Sequence, residues 1–186
     1  MLQLKNAFET DHLILCHLTT EDAAFILELL NDPGWLRFIG DRGVRTLDDA
    51  RRYILNGPVK SYQQSGFGLY LVKLKENETP IGMCGLIKRE ELDDVDIGFA
   101  FLPQFTGRGY AYEAAAATLH YGYTVLGLKH IVAITDPDNE RSIRLLQKLG
   151  LRLEKTIRLS AGGPVSNLFV PDQDRPEEID PPMGTD

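Results

Sequence analysis

From Asp11 to Leu18 the apolar residues Leu13, Leu15 and Leu18 interleave with Ile14, Cys16 and His17, which predicts a largely buried first strand. The period then changes. Thr19-Thr20-Glu21-Asp22 opens a helix, with Thr20 suited to the N-cap and the acidic pair suited to the positive helix end. Phe25, Ile26, Leu29 and Leu30 follow at helical spacing until Asn31-Asp32-Pro33-Gly34 stops the run. A second amphipathic helix is expected from about Leu47 to Asn56, with Ala50, Tyr53, Ile54 and Leu55 near one face, Arg51-Arg52 outside it and Gly57-Pro58 as its end. Between these helices, the stretch from Gly34 to Arg42 is rich in aromatic, basic and glycine residues. It reads either as a connecting loop packed by its own large side chains or, through Trp35 and Phe38, as a wall of a substrate site.

Strand patterns follow. Phe67 to Lys75 and Pro80 to Lys88 form a hairpin around the polar turn Lys75-Glu76-Asn77-Glu78-Thr79, and Asp94 to Leu102 adds a further strand. A long helix is expected from about Tyr110 to Leu126, where Ala111 and Ala114 to Ala117 combine helix propensity with small volume and so allow close approach to a sheet. Lys129 to Thr135 reads as a strand and Asn139 to Leu149 as a helix ended by Gly150. Leu151 to Leu159 and Val165 to Val170 close a hairpin around Ala161-Gly162-Gly163-Pro164. The pattern predicts one mixed α/β (α+β) domain over residues 1–170 with a central sheet. From Pro171 to Asp186 proline and acid replace apolar residues, and a flexible acidic, proline-rich tail is expected.

Composition narrows the function. With 43% hydrophobic and 25% charged residues the chain is an ordinary globular sequence. Its formal charge of −7 argues against direct affinity for nucleic acid or an anionic membrane, and would draw in a cationic substrate such as an amine. Cys16 and Cys84 have no metal-site spacing and read as free thiols, and His120 and His130 have no partner spacing for a metal. The first residues lack a signal-peptide pattern, so a cytoplasmic location is expected.

The most informative segment is Gln104-Phe105-Thr106-Gly107-Arg108-Gly109. It lies between the strand ended by Pro103 and the helix begun by Tyr110, where a helix N-terminus presents free backbone N–H groups to an anion. Gly107 and Gly109 permit unusual backbone angles and close approach of a phosphate, and Arg108 adds charge. The loop lacks the Gly-Lys-Ser/Thr ending of a P-loop, and Ala111-Tyr112 after Gly109 breaks the dinucleotide fingerprint.

On Gln104, Gly107 and Gly109 the chain resembles the GNAT superfamily of N-acetyltransferases, whose pyrophosphate loop reads Gln/Arg-x-x-Gly-x-Gly/Ala. The resemblance extends through Glu9-Thr10-Asp11-His12-Leu13, Ile81-Gly82-x-x-Gly85-Leu86, Asp96-Ile97-Gly98-Phe99, Asp136-x-x-Asn139-x-x-Ser142 and Leu146-x-x-Leu149-Gly150-Leu151, in the manner of the RimJ/RimL-like branch. His12 and Cys16 stand where that branch commonly has arginines. The resemblance implies the GNAT fold, a central mixed and mostly antiparallel sheet flanked by helices. It also implies acetyl-CoA as cosubstrate without a metal, direct attack by an amine in a ternary complex, and a monomer or homodimer.

It further implies site residues. The backbone of Phe99, Ala100, Phe101 and Leu102 would bond the pantetheine arm, with an amide near Ala100 or Phe101 facing the thioester oxygen. Gln104, Thr106, Gly107, Arg108, Gly109 and Tyr110 would hold the pyrophosphate, Asn139 the pantetheine, and Ser142 would protonate the leaving thiolate. Asp96 reads either as a base acting through water or as a solvated strand residue continuing the acidic run before it. Asn139 and Ser142 would cap a helix in any protein. The acceptor amine would be a protein N-terminus or a small molecule. A catalytically weak acyl-CoA-binding domain and a plain interaction module are the competing readings.

Overall fold

The computed structural model describes residues 6–172, so the tail expected over 171–186 lies, from residue 173 on, outside the described residues. Strand β1 (Asn6–Glu9) pairs with β2 (Leu13–His17), which is followed by a 3₁₀ turn at Thr20–Asp22 and helix α1 (Ala23–Leu30). Thr19, and not Thr20, caps this entry. Its hydroxyl accepts from the Glu21 amide, and the Asp22 carboxylate accepts the Thr19 amide in return, a reciprocal box that Thr20 is one residue too late to make.

The stretch read as a connecting segment contains a short helix, α2 (Pro33–Phe38). Asp32 caps it and Pro33 takes the first-turn position where no N–H is needed. Helix α3 (Leu47–Ile54) is capped by Thr46, with Asp49 closing the box. Gly57-Pro58 does not end the helix as expected. The chain widens to a π turn over Leu55–Val59, where the donor missing at Pro58 is tolerated, and runs on into α4 (Lys60–Ser65) until Gly66 takes the left-handed conformation.

The remaining elements match the predicted order. They are β3 (Leu69–Leu74), β4 (Pro80–Ile87), β5 (Val95–Phe101), α5 (Tyr110–Thr124), β6 (Ile131–Thr135), α6 (Glu140–Lys148), β7 (Leu151–Arg158) and β8 (Val165–Pro171). The strands form one sheet in the order β1-β2-β3-β4-β5-β6-β8-β7, antiparallel everywhere except at β5–β6.

Each face of the sheet carries its own core. On one, Leu15, Ile81, Leu86 and Ile97 pack with Ala114, Ala115 and Leu119 of α5. On the other, Leu71, Met83 and Leu102 pack with Ile26, Leu29, Trp35 and Ile54 from the α1–α3 layer. The alanines let α5 lie close over β4 and β5. No helix among the described residues is long and apolar enough to cross a membrane.

Candidate active site

The two central strands part company. β5 and β6 share only the pairs Val95↔Ile131 and Asp96↔Val132, after which β6 turns its hydrogen bonding to β8 from Ala133 onward. A gap opens beside the C-terminal half of β5. Which backbone groups face it follows from register. Leu102 donates its amide to the Ile81 carbonyl at 2.9 Å, and the antiparallel ladder to β4 runs without a shift from Asp96 to Phe101. Alternate residues of an antiparallel strand turn their polar groups to opposite sides. Ala100 and Leu102 therefore face β4, whereas Phe99 and Phe101 present N–H and C=O toward the gap. This corrects the expectation from the family pattern. Leu102 has committed its amide to the sheet, and Ala100 is on the wrong side for an open donor.

The Gly-rich loop sits where β5 ends. Pro103–Phe105 makes a 3₁₀ turn that includes Gln104, and Thr106 folds its hydroxyl onto the Pro103 carbonyl at 2.8 Å. Gly107 and Gly109 have φ of +75° and +87°, and a Cβ added at either would meet no atom within 4 Å. The glycines thus serve backbone conformation and open space, and packing does not require them. Gly109 occupies the N-cap of α5 with no side-chain cap, so the amides from Tyr110 onward begin the 15-residue helix uncovered. Arg108 is exposed on the loop, and Arg141 of α6 brings a second guanidinium to within 3.5 Å of the Thr106 hydroxyl.

On the opposite face, the α2–α3 layer, the sheet, α6 and the tip of the β7–β8 hairpin enclose a cavity of about 270 Å³. It collects the predicted Trp35, Phe38, Asp96, Phe99, Ala100, Asn139 and Ser142 on one wall or another, and places Arg42, Tyr53 and Arg89 beside them. Asp96 is not a solvated strand residue. It is only 1% exposed, and Arg89 Nε donates to its Oδ1 at 2.8 Å from a side chain that is 26% exposed. Burial pushes the Asp96 carboxyl above its ordinary range, and the Arg89 charge and hydrogen bond pull against that rise. Asn139 caps α6 by accepting the Ser142 amide at 3.2 Å. The cap holds the Asn139 side chain, and both residues line the cavity edge where β6 meets α6. Gln104, Thr106, Gly107, Arg108, Gly109 and Tyr110 do not line this cavity but form the separate loop, with β5 running between the two.

Residues 12–152 match the family model for the acetyltransferase (GNAT) domain. The chain belongs to the GNAT acetyltransferase family. It is 30% identical over 152 residues to the N-acetyltransferase YoaA of Bacillus subtilis, covering 81% of this chain and 85% of that one. An acetyltransferase from Agrobacterium tumefaciens superimposes with a TM-score of 0.76 at 20% identity, covering 91% of this chain and 95% of the other. The RimL ribosomal L7/L12 alpha-N-protein acetyltransferase, solved with coenzyme A, gives 0.74 at 16% identity and coverage of 91% and 100%.

As a GNAT domain this chain is an acyltransferase with the mixed, mostly antiparallel sheet of that fold. Four residues beside these candidates were not singled out by the sequence: Arg42, Tyr53 and Arg89 on the cavity wall and Arg141 near the loop. Arg89 was hidden in the polar run Lys88-Arg89-Glu90-Glu91, which has the composition of a solvated turn. Arg42 had signal only as part of the basic, aromatic stretch before α3. Tyr53 lies on the face of α3 that the helical period had already turned inward.

Proposed function

We propose that this GNAT domain moves an acetyl group from acetyl-CoA to a primary amine by direct attack while both are bound. The observation that carries the reading is the divergence of β5 from β6 directly between the uncapped start of α5 and the cavity holding Asp96. A long thioester can enter at the loop, lie along the gap and present its reacting end to the cavity.

In this reading the amides of Gly107, Gly109 and Tyr110 receive the pyrophosphate at the positive end of α5, with Arg108 and Arg141 as counter-charges and Gln104 and Thr106 shaping the loop. The gap-facing groups of Phe99 and Phe101 bond the pantetheine arm, one amide meeting the thioester oxygen as it gains negative charge. Asn139 has its carbonyl oxygen committed to the cap, so its side-chain NH₂ is the group offered to the arm. Trp35 and Phe38 form the acceptor wall. As the amine nitrogen bonds to the acyl carbon, Asp96 takes the amine proton through a water. The carbon–sulfur bond breaks, the departing thiolate takes the Ser142 hydroxyl proton, and the proton that Asp96 took from the amine returns through water to Ser142. Both cysteines stay outside the chemistry. Cys84 is fully buried, donating to or accepting from Thr118 at 3.3 Å, and burial lifts its thiol to about 12.

Direct transfer has a kinetic signature. Initial rates measured over a grid of acetyl-CoA and amine concentrations are expected to give intersecting reciprocal lines. Parallel lines, together with an acetylated protein isolated without amine, would show an acyl-enzyme and end this mechanism.

A further inference from the structure

We propose that Glu113 is a positioning residue for acetyl-CoA binding, its carboxylate tying the start of α5 to the turn between β1 and β2 through Thr10 and His12. The inference rests on the Gly107–Gly109 loop as the cofactor site and adds what holds that loop in place.

A cradle made of glycines does not order itself. A Cβ at Gly107 or Gly109 would meet no atom within 4 Å, and Gly109 starts α5 with no side-chain cap, so packing does not decide where these amides point. The loop is placed by its two ends, the 3₁₀ turn at Pro103–Phe105 on one side and the first turn of α5 on the other.

Glu113 closes that first turn. Its backbone amide donates to the Gly109 carbonyl at 3.0 Å, while its side chain, only 15% exposed, engages residues more than 100 positions earlier in the chain. Oε1 accepts the Thr10 hydroxyl at 2.5 Å and the His12 backbone amide at 2.8 Å, and Oε2 lies 3.0 Å from His12 Nδ1. A carboxylate only accepts, so Nδ1 carries the hydrogen there. Three donors therefore hold one charged acceptor, the stronger kind of hydrogen bond.

The far end of the tie is firm. The Lys75 amide donates to the His12 carbonyl at 2.8 Å and the Lys75 ammonium to the Thr10 carbonyl at 3.0 Å, which binds the β1–β2 turn to the end of β3. The Thr10 hydroxyl also accepts the Leu13 amide at 3.0 Å, where β2 begins. Directly after Glu113, Ala114 and Ala115 are fully buried against the sheet. Such small side chains set how closely α5 lies but raise little ridge to resist sliding. The directional bonds of Glu113 fix that remaining freedom, and with it the positions of the Gly109 and Tyr110 amides.

Charge alone would act in the opposite sense, because a carboxylate one turn from a bound phosphate repels it, and removing it would tighten binding. The two roles separate cleanly in a calorimetric titration with acetyl-CoA. Glu113→Ala is expected to raise the Kd about fivefold, and Glu113→Gln, which keeps an acceptor for Thr10 and for the His12 amide, to recover most of that loss. Thr10→Val keeps the side-chain volume and removes the shortest bond. It should raise the Kd about threefold in the native background and no further in Glu113→Ala. If Glu113→Ala does not fold, Thr10→Val and Glu113→Gln carry the test. Unchanged or tighter binding in Glu113→Ala overturns the assignment, as does a Glu113→Gln as weak as Glu113→Ala, an unmoved Kd in Thr10→Val, or a Thr10→Val effect that simply adds to that of Glu113→Ala. Gly109→Val separates this inference from the reading beneath it. If Gly109→Val leaves acetyl-CoA binding intact, the loop is not the cofactor site and both fail, whereas weakened binding in Gly109→Val with none in Glu113→Ala overturns the role of Glu113 alone.

Discussion

Asp96→Asn is expected to lower kcat by about 10²-fold or more while acetyl-CoA binding persists, because it removes the proposed proton acceptor and keeps the side chain's size. The fold should survive. Asparagine can still accept from Arg89 Nε, and Arg89, at 26% exposure, can reach water for its remaining donors. The sign of the stability change follows from the direction of the pKa shift. A carboxyl whose folded-state pKa is raised contributes most below its unfolded value, and loses that contribution as pH climbs through the folded value. At neutral pH, therefore, ionised Asp96 adds nothing to stability through this shift, and Asn in its place should cost little. Catalysis runs in the opposite direction. The base works ionised, so the native rate rises as pH passes up through the raised Asp96 pKa, and Asp96→Asn should flatten that limb. Measuring kcat/KM against pH for both proteins checks this. A limb that persists in the variant assigns the base elsewhere.

Gly109→Val is expected to raise the KM for acetyl-CoA by at least about tenfold and to abolish most of the thermal shift that acetyl-CoA gives. Gly109 sits at φ +87° at the start of α5, a conformation that costs an ordinary L-residue about 1–2 kcal/mol and a β-branched one more. A valine there escapes the strain by moving the loop, and its methyls fill the open space where phosphate oxygens would come. Because a Cβ at this position touches no atom within 4 Å, the protein's own packing is unharmed, and the melting temperature should fall by only a few degrees. Titrating acetyl-CoA in a thermal-shift assay on native and variant protein reads both effects. Equal shifts in the two would remove the loop from cofactor binding.

The Gly-rich loop and the Asn139 cap were legible in the chain because their signals are local. Gly107, Gly109 and Asn139 owe their conformations to a turn and to helix starts, where a few neighbouring residues decide the geometry, whereas Ser142 gives the cap only its backbone amide. Other features depend on residues far apart in sequence. Asp96 looked like part of an acidic, solvated run until β4 and β5 placed Arg89 against it and the α2–α3 layer covered it. Arg42 and Tyr53 come to line one cavity only once α2 and α3 fold over the sheet. The backbone groups facing the gap could be assigned only with the register in hand, since one residue's shift exchanges Ala100 and Leu102 for Phe99 and Phe101. Gly57-Pro58 misled for a different reason. A π turn needs no ordinary i to i−4 donor at the proline, so a sequence that ordinarily stops a helix here only widens it.

The central claim is that acetyl-CoA held by the Gly107–Gly109 loop gives its acetyl group to an amine in the Asp96 cavity. The most direct test mixes the protein with acetyl-CoA and a panel of amines, amino acids and N-terminal peptides, and follows free thiol and acetylated product together. Thiol release is expected to need an amine and to equal the N-acetyl product formed. Binding of acetyl-CoA without amine-dependent thiol release across the panel would contradict the central claim, and would leave an acyl-CoA-binding domain in place of an enzyme.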